Sequence, residues 1–146
     1  MDPERTNDET LLRRVIELAA AARLQGEAPF ASLLAGPDGT VIAEDHNTAQ
    51  STGDETAHPE LKLAMWAARE LTAEAASEVT MFTSCQPCVM CTGVIDRVGL
   101  RRVVFALSSE QLDAIAPQPV RQAVPLDGPY LHDEIREAIG DHYSTS

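Results

Sequence analysis

The sequence predicts a single layered α/β domain whose sheet mixes antiparallel and parallel strands. Three observations carry that prediction. Helical stripes alternate with short apolar runs along most of the chain, the pattern of a layered α/β fold. Two of the runs, 30–35 and 40–43, are separated only by Gly36-Pro37-Asp38-Gly39, so the sheet opens on a hairpin. The 146 residues are 44% hydrophobic, which suffices for one core and leaves no room for two ordinary domains, so 1–146 reads as one domain.

Thr6 with Glu9 reads as a capping box for a first helix, whose stripe of Leu11, Leu12, Val15, Ile16, Ala19 and Leu24 runs to Gly26. Phe30 to Ala35 is nearly all apolar, and Thr40 to Ala43 is its hairpin partner. Asp45 to Thr56 is polar and reads as a loop. Pro59 suits the first turn of a helix, where its missing N–H costs nothing, and Leu61, Ala64, Met65, Ala68 and Leu71 continue one face. Val79 to Thr83 reads as a strand, Cys88 to Val98 as a helix and Arg102 to Leu107 as a strand. Prolines at 117, 119, 125 and 129 then mark an irregular stretch. Leu131, Ile135 and Ile139 space a last helix, ended by Gly140.

Charge narrows the function classes. Eleven Lys and Arg against 23 Asp and Glu leave a net −12, a poor endowment for displacing counterions from phosphates, so a nucleic-acid partner is disfavoured. No apolar run approaches the ~20 residues that span a bilayer. Met1-Asp2-Pro3-Glu4-Arg5 lacks a basic stretch followed by an apolar one, so the expectation is a soluble cytoplasmic protein. Cys85, Cys88 and Cys91 crowd one short segment, a poor disulfide framework that reads instead as metal-binding or redox chemistry.

Two pieces carry that chemistry: His58-Pro59-Glu60 and Pro87-Cys88-Val89-Met90-Cys91. Cys88 and Cys91 stand three apart, so one helical turn aims both sulfurs the same way. Both lie at a predicted helix N-terminus, where unpaired N–H groups and the helix dipole favour thiolates. His58, at the start of its own helix, can bring an imidazole to the same point. Two thiolates and an imidazole suit zinc and leave a fourth position for water, whose pKa an open zinc lowers from 15.7 to about 7. Glu60 is not needed as a ligand and can move protons beside the metal. Taken alone, Cys-x-x-Cys is also half of a structural zinc site or a redox pair, and His-x-Glu is a common tripeptide. A closed site of Cys85, Cys88, Cys91 and His58 would be structural, but it would leave Glu60 without a role, and Cys85 reads as a small buried apolar residue near the site.

H-x-E followed by P-C-x-x-C is the signature of the zinc-dependent deaminases. With Thr83-Ser84-Cys85-Gln86-Pro87-Cys88-Val89-Met90-Cys91 and Gly93-Val94-Ile95, the chain resembles the cytidine/deoxycytidylate deaminase superfamily. Within it, the resemblance is to the branch of guanine, cytosine and tRNA adenosine deaminases, and it runs from the first helix to about Leu107. Ala28-Pro29-Phe30-Ala31, Asn47 and Thr56-Ala57-His58 share in it. The resemblance implies a three-layer α/β/α sandwich around a mixed five-stranded sheet, assembled as a homodimer. It implies that His58, Cys88 and Cys91 hold Zn2+ and that Glu60 shuttles protons. It further implies that Asn47 hydrogen-bonds a ring carbonyl, that the Ala57 N–H meets the base, that the Ser84 carbonyl faces the departing amine, and that Phe30 packs on the base. By their own chemistry Asn47 also suits a turn, and Phe30 a core.

Two departures stand out. The family places a small residue where this chain has Pro59, a change that helix position N1 tolerates. After Leu107 the resemblance ends, and His142 and Tyr143 are candidates for closing a site, this chain's or a neighbour's. The expectation is therefore hydrolytic deamination of a free amino-substituted base or nucleoside, of guanine, cytosine or triazine type. The rival readings are a tRNA adenosine deaminase and a noncatalytic binding module stapled by zinc.

Overall fold

A computed structural model describes residues 2–144. Helix α1 (Pro3–Leu24) leads into a hairpin of β1 (Ala31–Ala35) and β2 (Val41–His46). Then come a single turn α2 (Ala49–Thr52), helix α3 (Pro59–Glu70), a turn α4 (Ala73–Ala76) and β3 (Thr80–Cys85). Helix α5 (Val89–Val98), β4 (Arg102–Leu107), α6 (Ser109–Ile115) and α7 (His132–Ile139) complete the order.

The strands lie in the order β2-β1-β3-β4. β1 runs antiparallel to both β2 and β3, and β3 runs parallel to β4 through the α5 crossover, so the sheet is mixed as expected. Alternation along the strands sorts the core. Ala31, Leu33, Ala35 and Phe82 meet Leu11, Val15 and Ala19 of α1 on one face. Leu34 and Met81 meet Leu63, Ala64 and Ala67 of α3 and Ile95 of α5 on the other. That is the expected three-layer sandwich. It also explains why β1 is buried at every residue and reads as an apolar run with a single polar exception, Ser32.

The expected fifth strand is not found among the described residues. Ser108 caps α6 by accepting from the Gln111 N–H at 3.1 Å while Gln111 returns the bond to the Ser108 N–H at 2.9 Å, turning the chain away from the sheet. Beyond it, Pro117, Pro119, Pro125 and Pro129 lack the N–H groups that a ladder needs. The outer edge of β4 thus stays open, with Phe105 41% exposed. Further differences are local. α1 starts at Pro3 with Asp2 as N-cap, its carboxylate accepting from the Glu4 N–H at 3.1 Å, so Thr6 lies inside the helix. β2 extends to His46, and a helical turn interrupts the polar loop after it. α6, with no buried apolar stripe to announce it, is an unpredicted helix.

From Asp113 to Ser144 every residue is exposed. His142 and Tyr143 sit in that stretch as an edge-on ring pair 4.7 Å apart, away from any burial, and do not close a site within the chain. No helix among the described residues is long and apolar enough to cross a membrane.

Candidate metal centre and active site

Two helix starts build the centre. His58 is the N-cap of α3, and Pro59 occupies its first turn, fully buried. Cys88 is the N-cap of α5, which places Cys91 one turn inside. β3 delivers α5 and the polar loop after β2 delivers α3, so both helices begin at the same end of the sheet.

Among the described residues, His58, Cys88 and Cys91 form a convergent donor group. The His58 Nδ1 lies 3.6 Å from the Cys88 Sγ and 3.5 Å from the Cys91 Sγ, and the two sulfurs are 3.6 Å apart. A tetrahedral zinc, with bonds of about 2.3 Å to sulfur and about 2.0–2.1 Å to nitrogen, spaces such atoms about 3.8 Å (S···S) and about 3.5 Å (S···N) apart. The residues fit zinc, and Pro59 does not disturb them. Cys85, half-buried at the end of β3, is not part of the group.

The electrostatics ask for a cation. Burial, then the negative charges of Glu60 and Cys88, push the Cys91 thiol well above its ordinary value, so the favourable helix N-terminus does not by itself ionise this buried sulfur. A divalent metal reverses that balance and deprotonates a coordinating thiol outright. Glu60, 7% exposed, has its carboxyl raised by burial, opposed by its own backbone N–H and by Ser32. A buried carboxyl displaced towards neutrality suits a group that takes and returns protons.

Behind Glu60 stand two residues that the sequence did not single out. The Ser32 hydroxyl is 3.5 Å from the Glu60 Oε1, at the outer limit of a hydrogen bond, and 2.7 Å from the Thr83 Oγ1. Both hydroxyls are buried on the α3 face of neighbouring strands. Ser32 could have been found as the lone polar residue of its apolar run, whereas Thr83 shares its run with Thr80 and has no such signal.

The remaining candidates gather around the same end of the sheet. Asn47 is buried at 5% exposure, its backbone N–H donates to the Phe30 carbonyl at 2.9 Å, and its Oδ1 accepts from the Ala49 N–H at 2.9 Å. With the oxygen so used, the side-chain amide offers its NH2 group. Phe30 is half-buried and belongs to neither core cluster. The Ser84 Oγ accepts from the Ala31 N–H at 3.2 Å, which ties Ser84 to the residue after Phe30. Ala57 is buried, but its N–H already donates to the Asp54 carbonyl at 3.1 Å, so it is not the free donor expected.

The zinc-binding region of cytidine and deoxycytidylate deaminases matches residues 5–107. The match ends at Leu107, where β4 ends and the exposed tail follows. Guanine deaminase of Bacillus subtilis (strain 168) is 35% identical over 109 residues, covering 74% of this chain and 68% of that protein. A solved guanine deaminase from Bacillus subtilis superposes with a TM-score of 0.75 at 23% identity, over 100% of this chain and 97% of the other, a likeness of fold. The tRNA-specific adenosine deaminase of Haemophilus influenzae is 31% identical over 74% of this chain and 62% of its own length. A protein solved in complex with 2,6-diaminopurine superposes with a TM-score of 0.64 at 28% identity, over 75% of this chain and 61% of the other. With a matching sequence region, a matching fold and a His/Cys/Cys group in its expected place, the chain belongs to the cytidine and deoxycytidylate deaminase family, hydrolases acting on C–N bonds.

Proposed function

We propose that this protein is a zinc-dependent hydrolase that releases ammonia from a free amino-substituted base. The observation carrying the reading is a buried carboxyl group, Glu60, two residues along α3 from the His58 of a donor group spaced for zinc. His58, Cys88 and Cys91 hold the metal, which when bound supplies activated water at neutral pH. Glu60 accepts a proton from that water and delivers it to the ring nitrogen, then takes the remaining proton from the hydroxyl added to the ring carbon and delivers it to the departing amine, so that a ring carbonyl forms as ammonia leaves. Ser32, backed by Thr83, limits where the Glu60 carboxylate can stand.

Asn47 donates its amide NH2 to a ring carbonyl, Phe30 packs on the ring, and the Ser84 carbonyl receives the leaving amine. Ala57 contributes through its N–H only by sharing that proton between the base and Asp54. A free base is favoured over tRNA by the net −12 and by the commitment of Arg102 to Asp8, at 2.8 and 3.1 Å, and to Glu4 at 3.2 Å. The protein solved with 2,6-diaminopurine supports a purine-like base. The protein acts in the cytoplasm as a homodimer, an assembly for which the exposed apolar residues of the tail offer a surface.

The deciding experiment is ammonia release from guanine, 2,6-diaminopurine, cytosine, adenosine, an aminotriazine and tRNA. Turnover of one or more small molecules with tRNA inert is expected. Salt-sensitive conversion of adenosine to inosine in tRNA, with the bases inert, would reverse the order. No turnover by zinc-loaded protein on any of them would favour the binding module.

A further inference from the structure

Asn47 sits in a loop that has almost nothing apolar to hold it. Of residues 47–56, only Asn47 itself is buried, so the loop's place depends on polar contacts. Two charged side chains, from α3 and from the segment before β1, supply such contacts. Lys62, one turn after His58 on α3, donates from its Nζ to the His46 carbonyl at 2.8 Å and to the Thr48 Oγ1 at 3.0 Å, and pairs with the Asp45 Oδ1 at 3.1 Å. An ammonium has three N–H donors, and each finds an acceptor. The two hydrogen-bond acceptors belong to the residues on either side of Asn47. Glu27 is buried at 9% exposure, and its oxygens accept from the Ser51 N–H at 2.8 Å and the Ser51 Oγ at 3.0 Å.

Lys62 is not needed to hold α3, because Leu63, Ala64 and Ala67 already anchor that helix in the core. Nor does it face the metal centre. It lines an outer cleft of about 470 Å3 with Glu44, Met65, Trp66 and Arg69, a cleft to which none of the candidate site residues contributes. Its effect passes through the loop. We propose that Lys62 is a positioning residue for base recognition, fixing the Asn47 side chain relative to the His58–Cys88–Cys91 centre by gripping the backbone before it and the hydroxyl after it. This inference rests on the deaminase reading above and deepens it. It assigns Lys62 to substrate affinity rather than to the chemical step, since a displaced Asn47 weakens binding to substrate and transition state alike.

The test compares Lys62→Met and Lys62→Arg with the zinc-loaded full chain. Zinc content, amide hydrogen exchange over 47–52, and kcat and KM on guanine, 2,6-diaminopurine and cytosine are measured. Lys62→Met should keep about one zinc per chain, speed exchange over 47–52 but not within α3, and raise KM about tenfold with kcat within about threefold. Lys62→Arg, which keeps the charge and the donors, should return KM to within about threefold of wild type. Unchanged exchange and KM in Lys62→Met would overturn the inference. So would lost stability, or a fall in kcat, with KM unchanged, since either assigns Lys62 a role other than placing the base. Should the wild-type protein turn over none of the three bases, the deaminase reading fails separately. The exchange arm then decides the tether: faster exchange confined to 47–52 upholds it, and unaltered exchange overturns it.

Discussion

Between Glu27 and Glu60, each buried polar side chain has a partner, whereas from Asp113 to Tyr143 even large apolar side chains stand in water. Glu27 is tied to Ser51, Ser32 to Thr83, Asn47 to Ala49 and Glu60 to Ser32. In the tail, Val120 is fully exposed, Leu126 is 95% exposed, and Leu131, Ile135 and Ile139 line one face of α7 with no core beneath them. The two regions answer to different surroundings. The first is complete within one chain, because α1, α3 and the sheet together enclose it. The second carries the apolar pattern of a packed helix, and only another surface can satisfy that pattern.

The largest effects break the enclosed region at its centre. His58→Ala and Cys88→Ser should lose both zinc and turnover, read by metal analysis and ammonia release. Glu60→Gln keeps volume and one acceptor oxygen but cannot carry a proton. It should retain zinc and lose about 10²–10⁴-fold or more in kcat, and near-normal turnover with zinc bound would sink the mechanism.

A paired substitution sharpens the contrast in stability. Leu33→Ala, at a fully buried position, should cost about 2–5 kcal/mol in denaturant unfolding. Ile135→Ala, on α7, should cost less than about 0.5 kcal/mol at protein concentrations where the chain is monomeric. A cost for Ile135→Ala that grows with protein concentration would mean that a second copy buries the tail, and would end the contrast for the assembled protein.

Within the enclosed region, Cys85→Ser should keep about one zinc per chain, because Cys85 lies outside the donor group; loss of metal would instead mean a closed structural site. The smallest effect belongs to the surface. The Arg14 guanidinium, bonding the Glu44 carboxylate at 2.7 and 3.0 Å, holds Glu44 below the ordinary carboxylate value against a smaller effect of burial. A carboxyl lowered on folding adds stability above its unfolded value of about 4.5, and that stability is lost as pH falls through the lowered value. A slight loss of melting temperature in Arg14→Met at pH 7 should therefore vanish in strong acid.

How legible all this was in the sequence depended on distance along the chain. Arg102 to Leu107 is legible to the residue because its apolar run stops at the polar pair Ser108-Ser109. The start of α1 was misread because Thr6 with Glu9 imitates a cap, while the stronger signal lay at Asp2-Pro3, the same cap-then-proline arrangement as His58-Pro59. α6 was missed because propensity and capping alone make it, with no buried stripe to give a period. A fifth strand was expected from resemblance, and prolines that a ladder cannot use follow where the matching region ends.

The candidate donors were legible in the chain alone: Cys88 and Cys91 share one helical turn, and His58 and Glu60 open another, so local spacing orients them. The tertiary structure alone decided which residues serve that set. Ser32 reaches Glu60 across 28 residues and Thr83 across 51, because β1 and β3 turn the same face towards α3. Lys62 reaches back 16 residues to the His46 carbonyl because α3 packs beside the end of β2. No periodicity in a chain records such neighbours, since they are set by which faces of sheet and helix bury each other, and that is a property of the folded whole.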